Sequence, residues 1–190
     1  MDEHIRYTLI RSRRKSIGIQ VKNGTVFVRA PLHTGKQTID RFVSENARWI
    51  EKQLSRSAAV QEKASAEGML SAHDIACLVK KAKQILPDRV AYYAGILGVS
   101  YGRITVRCQR TKWGSCSSKG NLNFNCLLML APPEVIDSVI VHELCHCKEM
   151  NHSARFYAEV HRIYPAYDKC RKWLKENGEI LMRRVENFEK

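Results

Sequence analysis

Between Arg6 and Pro31 apolar and polar residues alternate, with Ile17, Ile19 and Val21 in one run, Val26 and Val28 in the next, and Asn23-Gly24 between them. A period of two puts the apolar side chains of a strand on one face, and an Asn-Gly pair tolerates the positive φ of a tight turn. The segment predicts an antiparallel hairpin that ends at Pro31, with Tyr7 and Leu9 marking a third strand ahead of it. From Gly35 to about Ser65 the period changes. Ile39, Phe42, Val43, Ala47, Trp49, Ile50 and Leu54 recur at helical spacing, which predicts one long helix or two.

Gly68 interrupts that pattern, and Ser71-Ala72-His73-Asp74 is a capping box with an acidic third residue. The helix it opens runs through Ile75, Leu78, Ala82 and Leu86. Pro87 is expected to kink or restart it, because proline lacks the amide proton and its ring crowds the preceding turn. Val90, Tyr93, Ala94 and Leu97 carry the stripe on to Gly98. Two strand-like runs follow, residues 103–109 and 121–130, joined by a connection that contains the turn-rich stretch WGSCSSKG. Pro132, Pro133 and Glu134 suit the first turn of a helix whose body, VIDSVIVHELCHC, is apolar on most sides and so reads as buried. A further amphipathic stretch starts near Ser153 and is broken at Tyr164-Pro165. The pattern describes an α+β protein with an N-terminal antiparallel β-hairpin or sheet, a helical middle and a buried late helix. Its expected division is a hairpin and helical subdomain over residues 1–70 and a second domain, which contains the buried late helix, over 71–190.

The late helix carries the chemistry. In HELCHCKEMNH, residues 142–152, His142 and His146 stand at i and i+4, on one helical face and about 6 Å apart along the axis, within reach of one metal ion. Glu143 points beside them, where it can take a proton from a metal-bound water without ligating the metal. Two histidines and a glutamate on a buried helix would each cost about 1–3 kcal/mol if left unpaired, and metal binding removes that cost. Nitrogen ligands beside an acid favour zinc.

The third ligand needs a change of direction. Glu149 continues the row but lies about 10 Å along the axis from His142, too far to share a small ion. His152 would point about 240° away from His146 if the helix continued. Asn151 accepts the left-handed conformation that ends helices and Ser153 can cap the next one, so His152 is expected at a corner, folded back toward the metal. Glu159 and His161 are its rivals. Cys145 and Cys147 point about 100° to either side of His146 and read as packing.

Composition adds three expectations. The seven cysteines are scattered with no CxxC pair, which suits reduced thiols and a cytoplasmic setting. No apolar run is long enough to span a bilayer, and the first residues lack the apolar core of a signal peptide, so no membrane partner is expected. The net charge of +13 favours anionic partners, nucleotide or nucleic acid, against the alternative of a solvated basic surface.

Three stretches together resemble the YgjP-like metallopeptidases, relatives of the SprT-like and WLM zincins. They are the basic opening hairpin, RTKWGSCSSKGNLNFN at 110–125 and VIVHELCHCKEMNHSARF at 139–156. The resemblance implies a zincin-like catalytic domain in which His142, His146 and His152 bind Zn2+ and Glu143 is the general base. The chain departs from the family at Cys147, where leucine is common, and at Lys112, where arginine often precedes Trp-Gly-Ser-Cys. In zincin-type sites a strand beside the active helix pairs with extended peptides, and the NLNFN strand is the candidate, with Trp113, Ser115, Asn123 and Asn125 as substrate-binding residues. Tyr157, Tyr164 and Tyr167 are candidates for stabilising an oxyanion.

The function expected is a zinc-dependent metallohydrolase, a metallopeptidase acting on peptides or proteins. Two alternatives share the same site: a nucleoside triphosphate pyrophosphatase, and a DNA-associated protease of SprT-like type.

Overall fold

The structure is a computed structural model that describes residues 5–185. Its contacts fall into two compact units, Met1–Lys63 and Ala64–Lys190.

In the first unit, β1 (Thr8–Ser12), β2 (Gly18–Lys22) and β3 (Thr25–Pro31) are followed by α1 (Lys36–Glu45) and by α2 (Ala47–Ala66), whose last residues from Ala64 onward fall in the second unit. The hairpin turn has positive φ at both central residues, 49° at Asn23 and 74° at Gly24, the geometry whose twist matches that of the strands. The third strand is present, but it is not antiparallel to its neighbour. It pairs parallel with β3, giving the order β1-β3-β2, because the hairpin leaves β3 the free inner edge. Val26, Val28 and Ala30 face inward against Ile39, Val43 and Ile50.

The second unit holds α3 (Ala72–Leu97), β4 (Ile104–Arg107), β5 (Gly114–Cys116), β6 (Leu122–Asn125), a 3-10 segment (Cys126–Leu130), α4 (Pro133–Cys145), α5 (Ala154–Ile163) and α6 (Tyr167–Arg183). The capping box closes at both ends: Ser71 Oγ accepts the Asp74 N–H at 3.2 Å, and the Asp74 carboxylate accepts the Ser71 N–H at 2.9 Å. Pro87 does not divide α3, since Leu86 and Val90 on either side are fully buried and hold the flanking turns in place. Gly98 then ends the helix with φ 66°.

The two strand-like runs are shorter than the pattern predicts. Residues 126–130 coil into the 3-10 segment, where Asn125 Oδ1 accepts the Leu127 N–H at 3.1 Å and turns the chain. The Gly114–Cys116 part of the turn-rich stretch, conversely, is strand: β5 runs antiparallel to β6, with Gly114 opposite Phe124 and Cys116 opposite Leu122. The sheet order is β4-β6-β5, so β6 is central and β5 an edge. Helix α4 is buried on nearly every side among Leu86, Phe124, Leu128 and Phe156. It is therefore a rigid support for whatever it carries. Among the described residues no helix is long and apolar enough to cross a membrane.

Candidate metal centre

His142 lies in the last turn of α4, and His146 is the residue that ends it. The helix stops a turn earlier than its sequence suggests, and by a different device. Cys147 N–H bonds to the Leu144 carbonyl and Lys148 N–H to that of Cys145, tightening the last turn. Asn151 is not left-handed: Asn23 is the only non-glycine residue with positive φ among those described. The tightened turn makes the left-handed residue unnecessary. Ser153 does cap α5, its Oγ accepting the Phe156 N–H at 3.2 Å.

The corner brings His152 back. One ring nitrogen from each of His142, His146 and His152 lies within 4.8 Å of the others, and the Nε2 atoms of His142 and His152 are 3.0 Å apart. Two ligands at zinc–nitrogen bond lengths in a tetrahedron stand roughly 3.3 Å apart, so the donor set fits a small divalent ion. The other nitrogens are engaged elsewhere. His142 Nδ1 is 2.8 Å from Tyr167 Oη, and His146 Nδ1 is 3.1 Å from the Glu149 carbonyl, which leaves Nε2 of both rings for the shared point. Burial, then the neighbouring imidazoles, lower the pKa of His142 to about 4, and burial lowers that of His146. The first ring is thus neutral, as a metal ligand must be.

The rival ligands are occupied. Glu159 binds Lys148 at 3.3 Å and Arg162 at 2.7 Å, and His161 lies 3.6 Å from Asp168. Cys145 is buried, and the Cys147 thiol lies 3.9 Å from that of Cys116.

Two aromatic residues build the frame. The Phe156 ring centroid is 4.5–4.9 Å from those of all three histidines, an apolar floor that holds the imidazoles in place. Its sequence signal was only that of one more apolar position on α5. Tyr167, on α6, orients His142, and burial raises its pKa to about 12, so the phenol stays protonated. Tyr167→Phe is expected to weaken metal affinity about 10- to 100-fold, measured by competition with a chromogenic chelator.

Glu143 stands beside this cluster, 6% exposed. Burial raises its pKa to about 7, opposed by the charge of Lys112. The reason for glycine in the WGSC strand lies here. A Cβ at Gly114 would stand 2.6 Å from Glu143 Oε1, 2.7 Å from Cγ and 2.9 Å from Cδ. Gly114→Ala is expected to displace the carboxylate and to lower turnover about 100-fold with metal content unchanged. Metal analysis beside initial rates checks this, and an unchanged rate would show that the carboxylate has room to move.

The remaining candidates sit elsewhere in the sheet. Trp113 packs against α6, where Gly178 leaves the space it fills: a Cβ there would stand 3.0 Å from Trp113 Cζ2. Asn125 is fully buried and frames the loop before β5, its Nδ2 donating to the carbonyls of Gln109 at 2.7 Å and Lys112 at 2.9 Å. Ser115 pairs with Asn123, and strand alternation sends both side chains to the face opposite Gly114 and Glu143. β6 is paired on both sides, so it has no free edge for a peptide, and the sheet edge beside Glu143 belongs to β5. In the antiparallel ladder Asn125 N–H bonds to the Trp113 carbonyl and Ser117 N–H to that of Asn121. The main-chain groups of Gly114 and Cys116 consequently point away from β6.

The sequence model of the YgjP-like metallopeptidase domain matches residues 15–78 and 72–177. The metallopeptidase zymogen abylysin of Pyrococcus abyssi aligns at 20% identity and a TM-score of 0.45, over 48% of this chain and 94% of its own. The zymogen jannalysin of Methanocaldococcus jannaschii aligns at 21% identity and a TM-score of 0.43, over the same shares. No curated protein matches the chain.

Proposed function

This chain belongs to the YgjP-like metallopeptidase family, and from that premise we propose that it is a zinc peptidase whose ion is held by His142, His146 and His152 and whose general base is Glu143. The observation that carries the reading is the convergence of three imidazole nitrogens beside one buried carboxylate. A zinc ion bound there supplies Lewis acidity, which makes water a better nucleophile at neutral pH and polarises a carbonyl.

The chain's own residues do the rest. Glu143 takes the proton of the attacking water on a carboxylate oxygen and later hands it to the leaving amine, a role that its place on the buried end of α4 suits. Tyr167 and the Glu149 carbonyl keep the ligand rings from rotating, and Phe156 excludes water from behind them. The outward N–H and C=O groups of Gly114 and Cys116 can pair with an extended substrate, as an added strand on the edge of β5. In this reading the strand that pairs with an extended substrate is the edge strand β5 in place of the central β6.

The zinc-loaded chain should cleave casein, and a chelator should stop it. Nucleoside triphosphates incubated in parallel test the pyrophosphatase alternative: release of pyrophosphate without casein cleavage would replace the peptidase reading.

A further inference from the structure

Outside the metal centre, the most uneven feature of the chain is its charge near the N-terminus. Between Glu3 and Asp40 there is no acidic residue at all, whereas eight are Lys or Arg. Within that stretch, residues 8–31 form the three-stranded sheet of the first unit. Its first acid, Asp40, is already held by Lys36 at 2.8 Å.

The strand register says where the cations go. On β3, Val26, Val28 and Ala30 fill the core, so Thr25, Phe27 and Arg29 face outward. Phe27 belongs to no apolar cluster of the unit and is half-buried in the middle of this outer face. Thr8 and Gln20 flank it on the neighbouring strands, while Ile10 and Gly18 flank Arg29. Gly18 has a use here. The Arg14 guanidinium lies across it, with Nη2 only 3.1 Å from where a Cβ would stand. The Arg14 guanidinium is thereby laid beside Arg29, and Lys22 adds a third cation at the far end of the face.

We propose that this outer face, with Phe27 as a stacking platform among Arg14, Arg29 and Lys22, binds single-stranded nucleic acid. Cations that track a phosphate backbone around an aromatic ring on an open sheet are the elements of such a site, with hydroxyl and amide groups (Thr8, Gln20) available to base edges. An acidic peptide would use the cations and leave Phe27 idle. An anionic lipid surface would favour an apolar rim over the Thr8 and Gln20 row.

The test uses the full chain and a fluorescein-labelled oligothymidine in an anisotropy titration. Three phosphate contacts predict a log–log salt slope of about −2, so affinity should fall roughly 20-fold between about 50 and 200 mM salt. Reversing two charges, Arg14→Glu with Arg29→Glu, should weaken binding at least about 10-fold and flatten the slope. Phe27→Ala should weaken binding about 5-fold or more at an unchanged slope, and Phe27→Tyr should retain it. Circular dichroism checks the fold of each variant; should Phe27→Ala unfold, Phe27→Tyr decides, since its loss of binding in a folded chain overturns the proposal. Binding that survives the double reversal also overturns it, as does equal competition by polyglutamate or by phosphatidylserine vesicles at matched charge. Casein cleavage by the Arg14 and Arg29 variants should be unchanged, so this result and that of the metal centre fail independently.

Discussion

Glu143→Gln is expected to lower casein hydrolysis by a factor of about 100 to 10,000 while the chain still binds one equivalent of zinc. Glutamine keeps the shape of the side chain and its fit against Gly114, but it cannot take a proton. The same substitution should have an opposite effect on the stability of the metal-free chain. Burial raises the folded pKa of Glu143 to about 7, above the value of about 4.3 in an unfolded chain. A raised carboxyl pKa means that folding favours the protonated form. Its charge therefore costs nothing below the unfolded pKa, costs progressively more as the pH climbs toward 7, and costs its full amount above that. A shift of this size corresponds to roughly 4 kcal/mol. Metal-free Glu143→Gln should thus resist urea better than the parent at pH 8 and match it near pH 4. Equal stability at pH 8 would mean that the carboxylate is better solvated than its 6% exposure suggests.

His152→Ala should abolish stoichiometric zinc binding and all metal-dependent hydrolysis. His152 is the one exposed member of the triad and the only one that lies beyond α4 and its capping residue. Its removal leaves two imidazoles, one donor short of the three protein ligands that a catalytic zinc site needs. The parent should gain thermal stability on adding zinc, and the variant should lose that gain, because only binding to the folded state shifts the unfolding equilibrium. Glu159→Ala is the matched control. That carboxylate is tied to Lys148 and Arg162, so its loss should leave zinc content unchanged. Full zinc content in His152→Ala would transfer the third ligand to another side chain.

Much of this was legible from spacing. The Asn23-Gly24 turn, the Ser71 capping box, the Gly98 stop and the Ser153 cap all depend on bonds within a few residues, and each formed where the sequence indicated. The α+β mixture follows from the same local periods. Misreadings clustered where distant residues decide. Gly114-Ser115-Cys116 has the composition of a turn, yet it is strand because β6 offers it an edge and only a glycine at 114 fits against Glu143. The Cys126–Leu130 run reads as strand, yet Asn125 turns it into a 3-10 segment while Cys126, Leu127, Leu128 and Met129 stay in the core.

The sequence by itself determined the pairing of His142 with His146 and the place of Glu143 beside them, because the pitch of a helix ties spacing to direction. It also identified His152 as a candidate, through the need for the chain to turn. Only the tertiary structure decided how the turn is made, that Tyr167 and Phe156 hold the imidazoles, and that β5 is the sheet edge beside Glu143. Those relations join residues far apart in the chain, and no local period encodes them.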